Sequence, residues 1–114
     1  MRTHQANKRE ITRLSRFWYE YVSDDHHKDC DCHWYITKVW SYGNKPKYIA
    51  QHFGYIFDGG EIVCGSLQEA HKALLNLLKQ AIDREKEWGK QVMDNQKEYD
   101  SYQISKAEKI LKFI

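Results

Sequence analysis

The sequence predicts an α+β fold: an N-terminal helix, a three-stranded antiparallel meander, a long helix and a C-terminal helical segment. Three observations predict it. Apolar residues recur at helical spacing towards both ends of the chain, aromatic and β-branched residues crowd the middle, and two glycine-containing turns divide that middle into strands.

The first helix is expected over 8–22. Ile11, Leu14, Trp18 and Tyr21/Val22 recur at spacings of three and four, and Phe17 widens the stripe they form, so this face should dock on a core. Arg9, Arg13, Arg16 and Glu20 follow another track that can stay wet, with Arg9 and Arg13 one turn apart. Polar, turn-favouring residues over 23–29 end the pattern. A strand follows over about 31–42, where Cys32, Trp34, Ile36 and Trp40 share one face and His33, Tyr35, Thr37 and Val39 the other.

Gly43, Asn44 and Pro46 make the best turn signal, because glycine and asparagine tolerate left-handed backbone and proline fixes its own φ. A second strand is expected over 48–57. The turn at Asp58, Gly59 and Gly60 is short enough for a hairpin, and the third strand covers 61–64. Ser66, with Glu69 three residues on, has the pattern of a capping box opening a long helix through about Val92. Leu67, Ala70, Leu74, Leu77/Leu78 and Ala81/Ile82 keep its apolar track, and Gly89 should weaken or bend its far end. Ile104, Ala107, Ile110/Leu111 and Ile114 predict the last helix. The expectation is one domain over 1–114, with 1–7 flexible and 98–114 a helical extension.

Composition narrows the function classes. An apolar fraction of 41% and an aromatic fraction of 14% exclude a wholly disordered chain. No run approaches the roughly 18 apolar residues that span a bilayer, and the first residues lead into charge, so a soluble chain is expected with no membrane partner. Three cysteines cannot all pair within the chain, which fits a reducing compartment such as the cytoplasm. A net charge of +2 gives no strong overall field, although the first twenty residues hold Arg2, Lys8, Arg9, Arg13 and Arg16 against Glu10 and Glu20.

Several strings carry reactive side chains without the spacing that chemistry needs. Cys30 and Cys32 with His26, His27 or His33, joined by Cys64, offer zinc ligands. A single residue between the thiols is tight and no second cysteine pair exists, so a polar loop without metal or cofactor is expected. The same thiols lack an assignable base and oxyanion site. Asp24 and Asp25 lie together in a turn rather than apart in one pocket, and Gly59-Gly60 lacks the lysine of a phosphate loop. The chain is therefore not expected to be an enzyme.

The order helix, three strands, helix is similar to that of double-stranded RNA-binding domains. The run Gly65, Ser66, Leu67, Gln68, Glu69, Ala70, His71, Lys72, Ala73 resembles the start of their final helix. The chain departs from that family where it has Leu67 and Gln68 in place of consecutive basic residues. Duplex contacts would then fall to Lys45, Lys47 and Lys72 and to the Arg9, Arg13, Arg16 face, giving salt-dependent affinity for DNA or RNA. Trp34, Trp40, Tyr48 or Tyr55 could instead stack single-stranded bases.

The leading expectation is a noncatalytic protein-interaction module, an adaptor or an inhibitor of a larger macromolecular enzyme or protein–nucleic-acid complex. Such economy is common in proteins of viruses and mobile elements. A meander with aromatics on both faces has more ring surface than one core accommodates, and rings make good anchors. Trp40, Tyr42, Tyr48 and Tyr55, with Tyr99 and Tyr102 as a second patch, are the expected contact residues. A second copy of the chain is a further candidate partner, with Trp88 and Val92 of the long helix as its contact points.

Overall fold

A computed structural model describes residues 2–22, 34–40, 45–52 and 61–113, and its architecture is α+β. Helix α1 (Arg2–Phe17) runs into a π-helical turn at Trp18–Val22. Strands β1 (Trp34–Val39), β2 (Lys47–His52) and β3 (Glu61–Cys64) form an antiparallel sheet in the order β1-β2-β3. Helix α2 (Leu67–Asp94) follows, then a 3-10 turn at Gln96–Glu98 and helix α3 (Ser101–Lys112). Helix α1 thus begins nine residues before Ile11, the first residue of its apolar stripe.

Pairing of Ile36 with Ala50 and of Ala50 with Ile62 fixes which side of the sheet meets the helices. Trp34, Ala50 and Cys64 are buried on that side under α2, and Ile36 packs against the core beside them. Leu74, Leu77, Leu78, Ala81 and Ile82 of α2 fill the space opposite, and Leu14, Phe17, Trp18 and Val22 close it from the N-terminal helix. Trp18 meets Trp34 edge-on, with ring centroids 5.2 Å apart at 85°, the arrangement the ring quadrupoles favour.

Each end of α2 is anchored by its own sequence. The Glu69 amide donates to Ser66 Oγ at 3.2 Å, as the capping pattern predicts, but the Glu69 carboxylate reaches one residue further back and accepts from the Gly65 amide at 3.2 Å. Helix α2 runs through Gly89 and on to Asp94. Gly89 is buried against α3, where a Cβ would lie 3.2 Å from Leu111 Cγ and 3.4 Å from the Ala107 carbonyl oxygen. The missing side chain lets the two helices approach. Helix α3 starts with a complete capping box between Asp100 and Gln103 and buries Ala107 and Ile110.

Candidate functional site

Two surfaces of different chemistry stand out among the described residues. The first is the sheet side turned away from α2, where strand alternation places Tyr35, Thr37 and Val39 of β1, Lys47, Ile49 and Gln51 of β2, and Glu61 and Val63 of β3. Half of it is closed by a polar ladder across all three strands. Thr37 Oγ1 donates to Gln51 Oε1 at 2.8 Å, and Gln51 Nε2 donates to Glu61 Oε1 at 2.7 Å. The other half is apolar: Ile49 lies opposite Val63 and diagonal to Val39, and Val63 is 63% exposed.

Just past the end of β1, Trp40 is 68% exposed. Lys38 holds its ammonium 4.6 Å from the Trp40 ring centroid and 5.9 Å from that of Tyr48, its cross-strand partner. Lys38 and Tyr48 lie on the helix-covered side of the sheet, so α2 stops short of this end and leaves the ring open. Of the other aromatic candidates, Tyr102 is 62% exposed on α3, Tyr99 is half-buried, and Tyr42 and Tyr55 lie outside the described residues. Trp34, weighed above as a base-stacking ring, is buried in the core. Val92, expected to pair with a second copy, is fully buried where α3 folds back along α2, so it offers no outward contact.

The second surface is a groove of about 400 Å³ on α1. Arg9, Arg13 and Arg16 line it, with the rings of Phe17, Tyr21 and Phe113 as its apolar wall. Phe113, directly after α3, stacks on Phe17 at 3.8 Å and 11°, and Arg13 places its guanidinium 5.0 Å from the opposite partner's ring centroid, Phe113. Tyr21, expected in the core stripe of the first helix, is instead 39% exposed in this groove, its ring 5.6 Å from that of Phe17. Of the two residues that could continue the stripe, Val22, four after Trp18, is buried, and Tyr21 stands at the rim within the π-helical turn.

Charge at the groove is partly spent. Arg13 forms an ion pair with Glu10, and that hydrogen bond holds the Glu10 carboxyl below the usual glutamate range. Arg9 and Arg16 are exposed and form no ion pair among the described residues. Over 5–17 the helix carries Lys8, Arg9, Arg13 and Arg16 against Glu10 alone. Lys45, Lys47 and Lys72 are exposed, but none of them lines this groove.

Among the described residues no cluster of three histidine, cysteine or acidic side chains could hold a metal ion. Cys30, Cys32, His26, His27, His33, Asp24 and Asp25 lie outside those residues. Cys64 is buried at the end of β3; burial, and then the nearby Glu69 charge, push its thiol pKa up, so it stays protonated and a poor nucleophile near neutral pH. No described helix is long and apolar enough to cross a membrane. Comparison of the chain with protein-family models, curated proteins and solved structures finds no match in any of the three.

Proposed function

We propose that this chain is a noncatalytic protein-interaction module, acting in the cytoplasm as an adaptor or inhibitor that seats a larger protein on the open side of its sheet. One observation carries the reading: Val39, Ile49 and Val63 form an apolar area with no described element packed over it; the exposed Trp40 ring, on the other side of the sheet just past the end of β1, offers a second anchor to a partner that wraps that end. Large rings and branched aliphatics at the centre of a contact supply most of its affinity, while the Thr37–Gln51–Glu61 ladder and Lys47 would form a polar rim.

The edges add a second grip. Among the described residues, strands β1 and β3 each pair with one neighbour, so each offers a row of backbone donors and acceptors to an added strand. The test is affinity recovery from native host lysate, with and without nuclease, using the unaltered chain and the variants Trp40→Ala and Val63→Glu. Specific proteins retained after nuclease treatment and lost by at least tenfold with either variant are expected. Recovery that disappears with nuclease, or that ignores both substitutions in folded protein, refutes the reading.

A further inference from the structure

We propose that the arginine groove on α1 binds single-stranded nucleic acid, a role separate from protein docking on the sheet and independent of it. The argument begins with spacing. Arg9 and Arg16 are two helical turns apart, about 10 Å along the axis, which is too far to clamp one phosphate. A flexible strand, by contrast, presents successive phosphates that can reach both.

Chemistry narrows the ligand further. Guanidinium groups match phosphate oxygens with paired donors, and neither of these two is ion-paired among the described residues, although Glu20 shares the groove wall. Between and beside them lies a ring wall: Phe17 is buried and braced by Phe113, and Tyr21 keeps part of its ring in the groove. A positively charged channel beside an accessible aromatic face is what an unpaired base and its backbone require. In a duplex the bases face each other and cannot reach such a ring. An acidic peptide would match the arginines as well, but its carboxylates bring no ring system to stack on Tyr21.

The test is fluorescence anisotropy with a labelled oligothymidylate of about twelve nucleotides, within the range of single-strand sites. Two phosphate contacts predict a salt slope near −1.4, so affinity should fall about sevenfold between roughly 50 and 200 mM salt. Arg9→Ala/Arg16→Ala should abolish that slope and weaken binding at least tenfold, whereas Arg9→Lys/Arg16→Lys, which keeps the charge, should retain most of it. Tyr21→Ala should cost about tenfold and Tyr21→Phe little. Trp40→Ala should leave this binding unchanged, which separates its failure from failure of protein docking. An oligouridylate binding as tightly or more tightly upholds the site and extends it to RNA. The proposal is overturned if the double alanine variant, folded by circular dichroism, binds as the unaltered chain does. It is equally overturned if a duplex of the same length, or a glutamate oligomer, competes as well as the single strand.

Discussion

At Gly89 the absence of a side chain decides how two helices meet. A methyl group there would press on Leu111 Cγ and the Ala107 carbonyl, and a branched side chain has no room to turn aside. Gly89→Val should destabilise the chain by about 1–3 kcal/mol, read by chemical denaturation. Gly89→Ala should fall nearer zero, since better helix propensity offsets crowding that Leu111 can partly relieve. Glu10 carries a pH signature of the opposite kind. Its carboxyl titrates lower when folded because Arg13 holds the charged form, so the stabilisation is present above the unfolded value of about 4.3 and is lost as pH falls through the folded one. The pair is solvent-exposed, so the effect is small, on the order of 0.5 kcal/mol. A stability difference between the unaltered chain and Glu10→Gln should therefore be measurable at neutral pH and should vanish once the pH has fallen through the folded carboxyl's lowered pKa.

Among the elements, α3 depends most on its first residue. Asp100 accepts from the Gln103 amide at 2.7 Å while the Gln103 side chain accepts from the Asp100 amide at 3.1 Å, so two otherwise unpaired donors are satisfied together. Asp100→Ala should cost about 1 kcal/mol in thermal or chemical unfolding, with Gln103→Ala costing less. The strands were legible because their composition and turn residues agree: β3 matches its expected span of 61–64, β1 falls within its own, and β2 begins one residue before its expected start at Tyr48, the expected residues 53–57 lying outside the described ones. Sequence alternation also placed Trp34, Ile36 and position 40 on one side. It could not show that cover ends before Trp40, because periodicity specifies a face and not how far the opposing helix extends along it. The π-helical turn escaped for a related reason. Spacings of three and four admit both Tyr21 and Val22 to the stripe, and only packing shows that Val22 takes the core position while the chain winds as a π-helical turn.

Across the whole molecule, the fold class and the order of its parts follow from local pattern, whereas both candidate surfaces depend on packing between distant segments. The 28 residues of α2 give the chain a rod about 42 Å long, and the extents of 59 × 28 × 23 Å follow that rod. The Cα radius of gyration of 16.2 Å is correspondingly larger than the roughly 13 Å of a round domain of this length. The sheet and α3 are both packed along that rod. The arginines of the groove were visible as a basic track, but its ring wall was not. Nothing local in the sequence ties Phe113 to Phe17.

That ring pair also bears on how the chain assembles. Its two members come from α1 and from the residue after α3, so the contact closes a loop of roughly a hundred residues, and it forms only after those residues have been synthesised. Until then Phe17 waits without its stacking partner, and the α1 groove lacks part of its wall. Completion of the groove is thus a late event, coupled to the arrival of α3 rather than to the folding of the helix that supplies its arginines.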